Sequence, residues 1–352
     1  MARYKITVIP LTNVHIGTGE EIDLLHYSVI DGEFWRFNPD SVISYLDDEA
    51  KQELYEYIDK DDLFNIRSLL RDEVLEEKLL YKSAVTKDFD NKFNDKFESE
   101  NNQLLVEEIF RNKITGNPVL PGSSLKGAVR TAVINEFCKN TGGFDDKRFF
   151  ESEVLKYRDA RHDPFRAIRL TDCEITGEFK QIVGECFNYN YKAKDGQYFS
   201  NMQIILEQIQ GIISDSDAKG FCDLTIDEKL QNTQFKDRNH YMNNAVSMKI
   251  SLKEIINSCN NFYKKHLFEE HGKHYKQSLF TELKKNSEKL LQLAEEMKEN
   301  ECIVRAGRFS HAENVTVDKY REPRSTKGWG ETRTVSDKKY PMGWVKLVFD
   351  EM

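Results

Sequence analysis

The chain has 352 residues, room for two domains with cores of their own, and carries 51 Lys and Arg against 60 Asp and Glu, a formal net charge of −9. No apolar run approaches the length of a membrane span and the N-terminus lacks the basic-then-apolar layout of a signal peptide, so a cytosolic chain is expected. Cys138, Cys173, Cys186, Cys222, Cys259 and Cys302 have no paired spacing, which argues for reduced, packed thiols over a zinc site or a disulfide framework.

Tyr4 to Leu11 alternates and is rich in branched residues, as a strand should be, and Gly17-Thr18-Gly19 marks the loop after it. Tyr27 to Ile30 and Phe34 to Phe37 flank Asp31-Gly32, a two-residue hairpin signature. Asn38-Pro39-Asp40-Ser41 then opens a helix, with Pro39 in its first turn. From Asp47 to Glu108 there are 19 acidic and 9 basic residues, a balance of −10 that accounts for the whole acidic excess. This tract is expected to be helical in its first half and again from Ser99 to Phe110, with Lys82 to Glu98 looped. Phe64, Leu69, Leu70, Leu79 and Leu80 are its candidates for packing on the main body. It reads as an insertion: a surface for a neighbouring protein, or a solvated helical elaboration.

The stretch from Asn117 to Ala132 organises the chain. Pro118 and Pro121 hold the approach extended, Gly122 allows a bend, and Ser123 or Ser124 can cap a helix running from about Leu125 to Phe137. Leu125, Val129, Ala132, Val133 and Phe137 fall near one face of that helix, while Lys126 and Arg130, four residues apart, share another. A helix start with free amides, a hydroxyl and two cations suits an anion such as phosphate; the plain alternative is an ordinary helix start with a solvated cationic face. A Walker A loop is excluded, because Gly127 is not followed by Lys and Ser or Thr.

Further on, Arg158, Arg161, Arg166 and Arg169 crowd His162-Asp163-Pro164, either as phosphate ligands or as partners of Asp159, Asp163 and Asp172. Ala167 to Cys173 is strand-like, and Phe179 to Asn188, Met202 to Ile209 and Phe221 to Ile226 read as strands of a second sheet. Leu252 to His271 and Lys276 to Lys298 form an amphipathic helical pair broken near His271-Gly272. His266, His271 and His274, with no carboxylate geometry, read there as surface rather than metal ligands. The chain returns to strand at Cys302 to Phe309 and Trp344 to Phe349. Between them lies a loop holding Arg324, Lys327, Trp329 and other cations interleaved with aromatics, the composition an RNA strand needs. From Ile303 to Lys346 there are 10 basic and 5 acidic residues. Such a dipolar chain can offer RNA a basic surface while its acidic part faces elsewhere.

Three stretches resemble one family. Pro121-Gly122-Ser123-Ser124-Leu125-Lys126-Gly127 with Arg130-Thr131 is similar to the motif at the first helix of RAMP proteins, the repeat-associated RNA-binding proteins of CRISPR systems. Ile6 to Gly19, with His15 in its loop, resembles the first strand and loop of that superfamily. Arg305-Ala306-Gly307-Arg308 and Pro341-Met342-Gly343-Trp344 resemble the closing segments of the fifth-subunit family of type III-A (Csm) effector complexes. Gly307 is followed by Arg308-Phe309-Ser310 rather than by another Gly, a sparser glycine loop than many relatives carry.

Strands and helices in this order give an α+β fold. The resemblance sharpens it to two ferredoxin-like (RRM-related) domains with helical insertions: 1–185, with the acidic insertion at about 46–110, and 186–352, with a helical hairpin at about 250–300 and a basic loop at about 310–340. It implies a non-catalytic subunit of antiviral defence that needs no cofactor or metal. Its partners would be the CRISPR RNA at its 3′-end side, neighbouring Csm backbone subunits, and the host nucleases that trim the guide. The expected RNA-binding residues are His15, Ser123, Ser124, Lys126, Arg130, Gly307, Arg308, Arg324, Lys327 and Trp329. Two alternatives stand beside it. One is a metal-independent endoribonuclease using His15 as base with Lys126. The other is a protein-only scaffold.

Overall fold

The computed structural model describes residues 1–99, 104–139, 150–193, 196–200, 204–232, 245–320 and 330–352. It is a mixed α+β structure with two large sheets. The first strand, Ala2–Pro10, alternates between buried and part-exposed residues along its second half, as one covered sheet face requires. It lies in the middle of the first sheet, antiparallel to Lys219–Ile226 on one side and to the last strand, Trp344–Glu351, on the other. Glu301–Arg305 extends this sheet beyond the last strand, and Cys173–Thr176 and Val119–Leu120 extend it at the other end.

The second sheet has Gln181–Tyr189 near its centre, buried on both faces along most of its length. Ile204–Ile209 and Arg333–Ser336 pair with it antiparallel, and Tyr81–Val85 pairs with it parallel. The sheet closes with the hairpin Tyr27–Ile30 and Glu33–Arg36 at one end and with Val106–Ile109 and Gly17–Ile22 at the other. Asp31 and Gly32 turn the hairpin at φ 52° and 76°, the double positive φ that the Asp-Gly pair predicts. Asn38 caps the next helix, Pro39–Tyr45, through the Asp40 amide, with Pro39 in the first turn.

Both sheets take strands from either side of residue 185, which lies inside the strand Gln181–Tyr189. Several expectations are corrected. The strand Lys219–Ile226 belongs to the first sheet, not the second. The acidic tract is more than an insertion. Asp48–Asp59 and Leu63–Glu73 do form a helical module, with Leu54, Leu69 and Leu70 in its core. But residues read as loop form the strand Tyr81–Val85 and the helix Lys87–Lys96, and residues read as helix form the strand Val106–Ile109. Leu80, expected inside, is 57% exposed. His266 and His274 are buried rather than superficial, on a helical run over 252–275 that includes π-helical turns at Asn260–Lys264 and His271–Tyr275.

The central helix is Gly122–Cys138, with Leu125, Val129, Ala132 and Val133 buried in the main core. It packs beside Leu252–Cys259 and is tied to the helical run by the Tyr263 hydroxyl, which donates to the Ala128 carbonyl at 3.0 Å. All six cysteines are buried free thiols. Among the described residues no helix is long and apolar enough to cross a membrane, and no group of three or more His, Cys, Asp or Glu could hold a metal ion.

Candidate functional site

The site is built where the two sheets meet, and Asn13 pins that junction. Its Nδ2 donates to Gln208 Oε1 and to Ser336 Oγ, each at 3.1 Å, and its Oδ1 accepts from the Gly211 amide at 3.1 Å and from Ser214 Oγ at 2.9 Å. Val14 and Ile209 exchange both backbone hydrogen bonds, at 2.9 and 2.8 Å, and the Gly343 amide donates to the Asn13 carbonyl at 2.8 Å. The loop after the first strand is thereby clamped, which fixes His15.

His15 is buried, with Nδ1 2.7 Å from the Glu207 carbonyl oxygen. A carbonyl only accepts, so the ring proton sits on Nδ1 and Nε2 is left as an acceptor. Burial lowers the imidazole pKa below its ordinary value; the Glu207 carbonyl opposes that shift and the charge of Arg308 adds to it. The ring is therefore neutral at pH 7. Glu207 cannot move either: its wholly buried carboxylate accepts from Arg111 at 2.6 Å, the Tyr81 hydroxyl at 2.8 Å, the Ile109 amide at 2.9 Å and Gln181 at 3.0 Å.

Opposite His15 runs the glycine loop. Gly307 has φ +90°, and a Cβ on it would collide with the His15 carbonyl oxygen, so only glycine fits. The Arg308 amide donates to that same oxygen at 3.0 Å, and the Arg308 guanidinium pairs with Glu107. Behind the loop the fully buried Arg305 pairs with Glu270, donates from Nε to the Met342 carbonyl at 3.2 Å and lies over the Trp344 ring at 4.8 Å. Glu270 also pairs with Arg333 at 3.0 Å, and Arg333 with Glu313 at 2.8 Å. Burial opposes the Glu270 charge, but Arg305 and Arg333 overcome it and hold the pKa at about 2.

These elements enclose a cleft of about 600 Å³, walled by the first loop at His15 and Gly17, by Glu107, by the helix face carrying Ser124, Gly127 and Thr131, and by the glycine loop. Of the predicted residues, His15, Ser124, Gly307 and Arg308 meet in it. Lys126 and Arg130 do not. The helix turns them to another face, where Arg130 binds both oxygens of Asp163, at 2.8 and 3.0 Å, and Glu151 at 3.1 Å. Lys126 beside it makes no ion pair among the described residues. Burial lowers its pKa, Asp163 raises it, and Arg130 and Arg169 lower it further. Neither serine caps the helix, which begins at Gly122. The Gly122 amide donates instead to Asp172 Oδ1 at 2.8 Å, and Ser123 is exposed. Of the crowded arginines, Arg161 pairs with Asp159 at 2.7 Å, the intramolecular reading. Arg324, Lys327 and Trp329 lie outside the described residues.

Sequence reasoning missed Glu107, Glu207, Arg111 and Glu270. The usable signal was an acid inside an apolar run, Ile204 to Ile209, because a carboxylate there needs a buried partner.

The model of the RAMP superfamily matches residues 7–309, and the chain belongs to that superfamily. Within it, the chain is similar to Csm5, a CRISPR system protein of Methanocaldococcus jannaschii. The two are 27% identical over 275 residues, which are 72% of this chain and 60% of that relative. A chain in the cryo-EM structure of a Csm–crRNA–target RNA ternary complex from a type III-A CRISPR-Cas system superposes with a TM-score of 0.70 at 15% identity, covering 99% of this chain and 100% of that one. The crystal structure of T. onnurineus Csm5 superposes with a TM-score of 0.57 at 15% identity, over 96% of this chain and 99% of that one. At that identity the superpositions speak for the fold.

Proposed function

We propose that this chain is a Csm5-type subunit of a type III-A effector complex, built on two ferredoxin-like halves and binding the CRISPR RNA non-catalytically at its 3′-end side. The observation that carries the reading is the cleft. It gathers, from residues as far apart in sequence as 15, 124 and 308, a first loop, a helix face and a glycine loop, the three segments by which the chain resembles RNA-binding relatives. Arg308 is the phosphate ligand, exchanging Glu107 for RNA, and Lys126, which makes no ion pair among the described residues, is a second. Ser123 extends the path of the strand, and Arg324, Lys327 and Trp329, outside the described residues, are further proposed RNA ligands. Neighbouring Csm subunits hold the complex together, and other nucleases trim the guide beyond this subunit.

The endoribonuclease alternative asks His15 for a base and Lys126 for a cation at the developing charge, and the helix turns Lys126 away from the cleft that holds His15. The test is the salt dependence of single-stranded RNA binding by the purified chain and by the reconstituted complex, comparing wild type with Arg308→Ala. Each lost phosphate contact flattens the log–log slope by roughly 0.7. A flatter slope with RNA recovered intact supports the reading; RNA recovered cut, or no binding in either preparation, sinks it.

A further inference from the structure

Two details of the cleft concern which group of a strand it receives. The first is an acceptor left open to the cleft. His15 is nine-tenths buried or more, its Nδ1 proton is given to Glu207, and Nε2 has no hydrogen-bond partner among the described residues. A Glu107 oxygen stands 3.9 Å away. That oxygen is itself an acceptor and is already held by Arg308, so it cannot satisfy Nε2. Gly17 keeps the atom uncovered, since a Cβ there would stand 2.6 Å from Nε2. The second detail is on the facing wall. Gly127 sits inside the central helix, where glycine is the second-worst choice, yet a Cβ on it would meet nothing within 4 Å among the described residues. Packing among those residues does not explain this glycine. A bare helix face where something from outside comes close does.

We propose that the cleft seats one ribonucleoside of the bound strand against Gly127, and that His15 is its specificity-determining residue, Nε2 accepting a hydrogen bond from the ribose 2′-hydroxyl. This rests on the RNA-binding reading above. A phosphate oxygen cannot be the group at His15, because it brings no proton to a neutral acceptor. Base N–H donors change from base to base, whereas the 2′-hydroxyl is present at every nucleotide and is what DNA lacks. Recognition by this contact is independent of sequence and selective for RNA.

The test compares oligo-uridine RNA with oligo-deoxyuridine and with 2′-O-methyl oligo-uridine, which keeps the oxygen and loses the proton. Wild type is expected to bind RNA about tenfold tighter than either analogue, the scale of one buried hydrogen bond. His15→Asn retains an amide N–H for the Glu207 carbonyl and removes the Nε2 acceptor. It should bring RNA down to the DNA affinity and leave DNA binding unchanged. Should that variant fail to fold, Gly17→Ala, whose methyl covers Nε2, must collapse the same ratio. Gly127→Ala should weaken RNA binding while raising Tm by roughly 1 °C, a pairing that a purely structural glycine does not give. A preserved RNA-to-DNA ratio in His15→Asn overturns the proposal and leaves the RNA-binding reading standing. So does a Gly127→Ala variant that binds RNA normally but fails to assemble with neighbouring subunits, which assigns the cleft to protein. His15-dependent cleavage to a 2′,3′-cyclic phosphate overturns it in favour of catalysis, and a wild type that binds no RNA alone or in complex removes both.

Discussion

Replacing Glu270 with Gln tests whether the glycine loop rests on a buried charge network. The substitution keeps the shape and removes the charge that Arg305, fully buried, and Arg333 share; Arg333 keeps Glu313, but Arg305 is left with no carboxylate among the described residues. The Glu270 pKa is displaced from 4.5 to about 2. That displacement corresponds to about 3 kcal/mol of folding stability at pH 7, the lower end of the roughly 3–5 kcal/mol expected when one partner of a buried pair is removed. Because the folded pKa is the lower one, the unfolded chain takes up the proton first. The contribution is complete above pH 4.5 and is lost as the pH falls towards 2. At pH 3 about 1 kcal/mol of it remains. Urea unfolding followed by tryptophan fluorescence at pH 7 and pH 3 gives both numbers. A Glu270→Gln loss below about 1 kcal/mol at pH 7, or an equal loss at both pH values, refutes the network as the support of the loop.

Four further outcomes can be checked with the same material. Gly307→Ala forces a left-handed φ on alanine and drives its methyl into the His15 carbonyl, so it should cost at least roughly 2 kcal/mol in urea and weaken RNA binding; a neutral effect on both would remove the loop's special role. Glu107→Gln releases Arg308 and should tighten RNA binding several-fold in a filter assay, whereas a loss would mean that Glu107 positions Arg308 rather than occupying it. Lys126→Ala should flatten the salt slope by roughly 0.7 without loss of stability. Arg130→Ala should instead cost about 1 kcal/mol of stability, through Asp163 and Glu151, and leave the slope unchanged.

What the chain shows locally could be read from it. The Asp31-Gly32 turn, the Asn38 cap and the strand Gln181–Tyr189 are each set by their own residues, and their places were predicted to within a few positions. The helix face of Lys126 and Arg130 was also legible from spacing alone. Their partners were not: Asp163 lies 33 residues beyond Arg130 and becomes its neighbour only in the fold. The strands Tyr81–Val85 and Val106–Ile109 were hidden for a related reason. Both pair in parallel, with Gln181–Tyr189 and Ile204–Ile209, and their sequences are too polar to announce a strand without those partners. Glu207 and Arg111 meet across 96 residues, a distance that no local pattern encodes.

The same long-range pairing resolves the apparent conflict between an acidic chain and the proposed RNA ligand. In the sequence the tract from Asp47 to Glu108 overwhelms every basic segment, 19 acids to 9 bases. In the fold most of its first half lies on a helical module with its own core, and only Glu107 of the acids described there lines the cleft. Glu107 reaches the cleft because Val106–Ile109 pairs in parallel with Ile204–Ile209, whose Glu207 carbonyl orients His15. The carboxylate that holds Arg308 and the carbonyl that sets the His15 tautomer are thus carried by adjacent strands. On the proposed reading one strand pairing sets both contacts of a nucleotide, phosphate through Arg308 and sugar through His15. Net charge then governs only how fast a strand arrives, and the choice of strand is left to a cleft that is nearly neutral until Glu107 is displaced.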